Sequence, residues 1–237
     1  MSAVYDGAFR AIVNDCKRML LPLLNEVFDE EYKGDEQVEL HPNEYFIDQQ
    51  DKPDQRRITD TNFCVKGKKV KKGRKNYHIE CESGYPKAGM IIRMFEYDAQ
   101  IAQENRETVG ETVTFTFPHS VVVYLRSRRN TPDRIRLAIN TPGGRVEYTV
   151  PLLKLREYTL EELFRKRLYM LIPFYVFFWE DEFEAKRRSP TLAKRMKTRV
   201  EWMLEELLQL EEKGEISGVE RSLVLSNERS ELLILKD

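Results

Sequence analysis

The stretch YHIECES, residues 77–83, decides how the chain is read. Tyr, Ile and Cys suit a pleated, half-buried surface, whereas Glu is depleted there. Alternate residues of a strand share a face, so Tyr77, Ile79, Cys81 and Ser83 point one way and His78, Glu80 and Glu82 the other. The second set is either a solvated outer face or a row of carboxylates turned to a divalent cation.

Upstream, RITDTNFCV (57–65) is a second extended run, and the basic stretch VKGKKVKKGRK (65–75) joins the two, with Gly67 and Gly73 suited to turns. A hairpin centred near Val70 sets Asp60 opposite Glu80, on the face shared by Ile58 and Asn62. Asp60, Glu80 and Glu82 then form a carboxylate cluster. A hard cation such as Mg²⁺ takes oxygen ligands and keeps waters for a substrate phosphate. Unpaired carboxylates repel, so such a cluster is costly unless a cation compensates it. His78 shares that face and is expected in a supporting or plain strand role rather than as a ligand.

Around this hairpin the pattern alternates between helix and strand. Residues 6–28 carry helical periodicity, with Pro22 placed to kink or divide the helix. A helix follows over 89–105, with Ile91, Ile92, Phe95, Ala99 and Ala102 as its expected apolar face and Arg93, Glu96, Tyr97 and Gln100 on an adjoining one. Then come strands TVTFTF and SVVVYLRS, and a hairpin of RIRLAIN and RVEYTVPLL about the turn TPGG at 141–144. Thr159 and Glu162 mark a capping box, expected to open a helix running into the apolar stretch near Leu168. From Pro190 a long helix is expected, with a stripe of Leu192, Met196, Val200, Met203, Leu204, Leu207 and Leu208 that packs on the domain or on a second copy. The order predicts an α/β (α+β) fold.

Composition narrows the function classes. A net charge of −1 excludes a uniformly basic nucleic-acid binder, so an anionic partner must be met by a local patch. Acids dominate between Glu26 and Asp54, and bases cluster at 65–75 and again at 186–199. Three cysteines without CxxC spacing point to reduced thiols and a cytoplasmic location rather than to a disulfide framework or a zinc site. The N-terminal residues lack a signal pattern, and the apolar run 168–179 is shorter than the roughly 20 residues a membrane span needs. No membrane partner is expected.

The ordered set DGAFR, RITDTNF, YHIECES and RMFEYDAQIA resembles the PD-(D/E)XK nuclease superfamily, and within it the branch of recombination-promoting nucleases and transposase-like proteins. The resemblance spans about residues 6–178 and implies a restriction-endonuclease-like core over 1–185, a mixed central sheet flanked by helices, followed by a helical C-terminal extension over 186–237. It implies Mg²⁺- or Mn²⁺-dependent hydrolysis of phosphodiester bonds, with Asp60 and Glu80 as metal ligands and DNA as the partner. The superfamily's usual lysine, often glutamine in this branch, falls at Glu82. Glu82 then adds a ligand, acts as a base, or marks a degenerate site that binds nucleic acid or protein without cutting; Arg93 or a loop lysine would supply the missing charge. Arg93 and Tyr97 resemble the substrate-side helix motif, and Asp6, Arg10 and Glu26 the first-helix motif. Lys66, Lys68, Lys69, Lys71, Lys72, Arg74 and Lys75 are the expected contacts to the phosphate backbone.

Overall fold

A computed structural model describes residues 2–41, 44–47, 55–58, 61–67, 73–85, 88–179 and 190–226. Helix α1 (Ser2–Asp15) and helix α2 (Leu20–Phe28) are separated by a single 3-10 turn at Lys17–Met19. Pro22 thereby falls in the first turn of α2, where no intrahelical partner is needed for the N–H it lacks. The expected helix over 6–28 is therefore two helices, divided one turn ahead of the proline.

Strands β1 (Gln37–Leu40), β2 (Glu44–Ile47), β3 (Gln55–Ile58), β4 (Thr61–Lys66) and β5 (Arg74–Glu82) come next. Helix α3 (Ala88–Glu104), the ribbon of β6 (Glu107–Val109) with β7 (Thr112–Thr114), and β8 (His119–Tyr124) follow. The hairpin of β9 (Arg134–Thr141) and β10 (Gly144–Lys154) completes the strands, with its turn at the expected Thr141–Gly144.

Six strands form one mixed sheet in the order β1-β4-β5-β8-β10-β9, while β2 and β3 pair apart from it. β1, β4 and β5 form an antiparallel meander. β5, β8 and β10 are mutually parallel neighbours, and α3 lies in the long crossover that a parallel pair requires. Five successive residues of β8, Ser120 to Tyr124, are buried. That is expected of a strand covered on both faces.

The two faces differ. On one, Phe63, Val65, Tyr77, Ile79, Cys81, Val121, Val123 and Leu153 join the main core with α1 and α2. The same core takes in the 3-10 segment Tyr169–Phe174, helix α5 (Pro190–Glu212) and helix α6 (Gly218–Ser226). On the other, Met90 and Met94 of α3 pack on Val122, Tyr124, Ile135, Leu137, Val150 and Leu152. The protein is thus a mixed α/β fold, a mixed six-stranded sheet flanked by helices.

Three expectations are corrected. The Thr159/Glu162 capping box is formed, but its helix α4 (Leu160–Arg165) stops short. Arg167 takes a left-handed φ of 58°, and the apolar run continues as a 3-10 segment containing Pro173. Helix α3 buries Met90, Met94, Tyr97, Asp98, Ile101 and Ala102, leaving Ile92 63% exposed and Ile91 and Phe95 also exposed. The stripe of α5 buries Leu192, Met196, Met203 and Leu207 against this chain's own core, while Leu204 and Leu208 are exposed. Residues 204 and 208 lie about 100° around the helix from 203 and 207.

This division is testable by urea denaturation. Leu207→Asp should destabilise the protein by roughly 3 kcal/mol or more, because an unpaired charge replaces a packed side chain. Leu204→Asp should stay within about 1 kcal/mol of the parent.

Candidate functional site

The register of β4 against β5 pairs Thr61 with Ile79 and Asn62 with His78, which is the hairpin centred near Val70. Tyr77, Ile79 and Cys81 enter the main core, so His78, Glu80 and Glu82 face α3. That face is not solvated. His78 is fully buried and Glu80 is 3% exposed. Asp60, Lys68, Lys69, Lys71 and Lys72 lie outside the described residues, as does the side chain of Asp6.

Burial obliges each polar group on this face to find a partner. His78 Nδ1 lies 2.7 Å from Asp98 Oδ1 on α3, and Nε2 lies 3.3 Å from Glu80 Oε1. The Ser120 hydroxyl donates to Asp98 Oδ1 at 2.6 Å, and the Tyr148 hydroxyl reaches Asp98 Oδ2 at 3.4 Å. Tyr97 sets its ring edge-on to the imidazole at a centroid distance of 5.8 Å. Burial by itself disfavours the charged imidazole, but its hydrogen bonds to Asp98 and Glu80 and their charges outweigh it and push the His78 pKa up to about 9. With both ring nitrogens protonated, His78 donates to a carboxylate on each side.

Beyond Glu80 the chain of charges continues to Arg93. Its Nε lies 3.5 Å from Glu80 Oε2 and its Nη2 donates to Glu82 Oε2 at 3.1 Å. The other Glu82 oxygen accepts the Gly84 N–H at 2.8 Å. Burial works against the guanidinium charge, but Glu80 and Glu82 more than compensate and raise its pKa further. Tyr124, beside Glu82 in the β5–β8 register, has its phenol pushed up to about 12 by burial and by that carboxylate.

Does this set suit a hard divalent cation? The donors are of the right kind. Glu80 and Glu82 each have one oxygen anchored, by His78 and by the Gly84 N–H, and each turns Oε2 to the Arg93 guanidinium, Glu80 towards Nε and Glu82 towards Nη2. Among the described residues no group of three His, Cys, Asp or Glu side chains gathers in a way that could hold a metal ion. The carboxylate pair is of the right chemistry for a cation, and in this structure Arg93 supplies the positive charge.

The remaining expected residues are dispersed. Tyr97 is buried against His78. Arg10 is half-buried on α1, the helix that packs on the opposite face of the sheet. Glu26 is on α2, where it accepts from Lys166 Nζ at 2.6 Å and from the Tyr158 hydroxyl at 2.9 Å. It borders a cleft of about 660 Å³ in which Arg18 pairs with Glu220, Lys166 with Glu26 and Arg167 with Glu215. Of the expected phosphate contacts, Lys66 pairs with Glu39 and Lys75 with Glu30. Arg74 bonds His41 Nε2 at 3.1 Å and Asn105 Oδ1 at 3.0 Å. These three are engaged within the chain.

Asp98, Ser120 and Tyr148 are part of the site and were not singled out in the sequence. The legible signal was Asp98, which shares a helical face with Met94 and Ile101, an acid where an apolar residue is the norm. Placing the apolar face on Ile91, Ile92 and Phe95 hid it. No family model, curated protein or solved structure matches this chain.

The imidazole sets a pH dependence. A folded-state pKa of about 9 lies above the ordinary 6.5, so its stabilisation is fully present below the unfolded value and is lost as pH rises through the folded one. The unfolding free energy should fall by up to about 3 kcal/mol from pH ~6.5 to pH ~9.5. In His78→Gln this decline should be largely absent, as read by urea denaturation at several pH values.

Proposed function

We propose that this protein is a metal-dependent endonuclease that hydrolyses phosphodiester bonds of DNA, with a restriction-endonuclease-like core. The observation that carries the reading is the pair Glu80 and Glu82, which each turn one oxygen to the Arg93 guanidinium from the strand beside β4. The hairpin register and the helix-flanked mixed sheet agree with the motif order of the resemblance. By that resemblance Asp60, Glu80 and Glu82 would hold Mg²⁺ or Mn²⁺, which when bound supplies Lewis acidity and an activated water at phosphate.

The chain's own residues have distinct parts. His78 fixes Glu80 through Oε1, and Asp98, braced by Ser120 and Tyr148, fixes His78. The Gly84 N–H fixes Glu82. These contacts preorganise the carboxylates, so ligation requires little rearrangement of the strand. Arg93 is the cationic side chain that meets both carboxylates, and it stands in for the lysine that Glu82 replaces.

A second reading has an observation of its own. Arg93 already neutralises the carboxylates and Glu80 is 3% exposed, as suits a nuclease-fold module that binds nucleic acid or protein without cutting it. Cleavage assays with Mg²⁺ and Mn²⁺ on single-stranded, duplex and branched DNA separate the two. An active protein should lose cleavage in Asp60→Asn and in Glu80→Gln with its circular dichroism unchanged, while still binding DNA. Glu82→Lys should lower the activity if Glu82 is a ligand or base. A parent protein that cuts none of these substrates, with no gain in Glu82→Lys, favours the binding module.

A further inference from the structure

We propose that Arg93 is a resident counter-cation that a divalent metal must displace before it can bind Glu80 and Glu82, so that the site is self-inhibited toward metal. The proposal rests on the metal-dependent reading above and adds a control to it. Oε2 of Glu80 and Oε2 of Glu82 both meet the same guanidinium, while the two Oε1 atoms are held by His78 and Gly84. A divalent cation and Arg93 therefore compete for the same lone pairs. Arginine keeps its proton under all ordinary conditions, so it yields the position only by moving.

The geometry allows that movement. Arg93 is 37% exposed and projects from α3 on a long side chain, whereas His78 is enclosed. Its Nε is buried yet makes no hydrogen bond among the described residues, since Glu80 Oε2 lies at 3.5 Å. Its Nη2 also touches the Met90 sulfur at 3.4 Å, a weak acceptor. The guanidinium thus compensates the charge of the pair while leaving one of its own donors unsatisfied, which weakens its hold. Exchange of the guanidinium for a divalent cation leaves both carboxylates compensated and returns Arg93 to water.

The test is a calorimetric Mn²⁺ titration of the full chain, comparing the parent protein with Arg93→Gln, Arg93→Met, Arg93→Lys and the double variant Arg93→Gln/Glu80→Gln, each checked for folding by circular dichroism. Arg93→Gln and Arg93→Met should bind Mn²⁺ at least about tenfold more tightly than the parent, because a competing positive charge within a few ångströms is gone. Arg93→Lys should stay near the parent, and adding Glu80→Gln should abolish the gain. Equal or weaker binding in both neutral variants overturns the proposal, as does a gain in Arg93→Lys as large as theirs. In that event parent binding that is lost in Glu80→Gln leaves the metal-dependent reading standing. Absence of Mn²⁺ binding in parent and neutral variants alike removes both.

Discussion

The imidazole of His78 is enclosed between β5 and α3 with a carboxylate on each ring nitrogen. An imidazole in that position is costly unless both nitrogens are bonded. One partner comes from two residues along the same strand, Glu80, and the other from the helix, Asp98. Ser120 and Tyr148 then anchor Asp98 from the next strand and from β10. Satisfying this one side chain therefore ties α3 to three strands of the sheet. It also sets the helix's rotation about its axis. Asp98 must point at β5, so Met94, Tyr97 and Ile101 turn inward with it and Ile91, Ile92 and Phe95 turn outward.

The sheet gains an asymmetry from this arrangement. One face is covered by an extensive apolar core assembled from both ends of the chain, including α1, α2, α5 and α6. The other is covered by α3, through a smaller apolar cluster and, beside it, the polar series Asp98, His78, Glu80, Arg93 and Glu82. A rigid apolar layer behind β5 holds the strand that presents the carboxylates, and sites on such elements are more precisely held than sites on loops. Removing one member of a buried charge series leaves its neighbour uncompensated, which costs more than the pair contributes. The series therefore behaves as a unit.

Charge elsewhere is also matched within the chain. The acid-rich segment after α2 and the basic run between β4 and β5 meet in Glu30 with Lys75 and Glu39 with Lys66. Pairs as exposed as Lys66 with Glu39 contribute little stability. They do reduce the free positive charge that Lys66 and Lys75 offer to a polyanion.

Much of the fold was legible because short-range chemistry sets it. Alternation along YHIECES assigned the two faces of β5, Gly67 and Gly73 marked the connection of β4 to β5, and Thr159 with Glu162 capped α4. The carboxylates of the candidate site were legible for the same reason, since Glu80 and Glu82 lie on one strand face by period alone. The identity of their partners was not. Asp98 follows His78 by twenty positions and Ser120 by a further twenty-two. Local periodicity carries no information about which side of a helix will meet a distant strand when more than one side is partly apolar. In α3 the exposed isoleucines made the stronger pattern, yet the buried imidazole required a carboxylate, and an unmatched polar group inside a protein outweighs the burial of an aliphatic side chain. The sequence by itself determined β5, its two faces and the acids it carries; the tertiary structure alone decided that Arg93 and Asp98 are among the groups that compensate them.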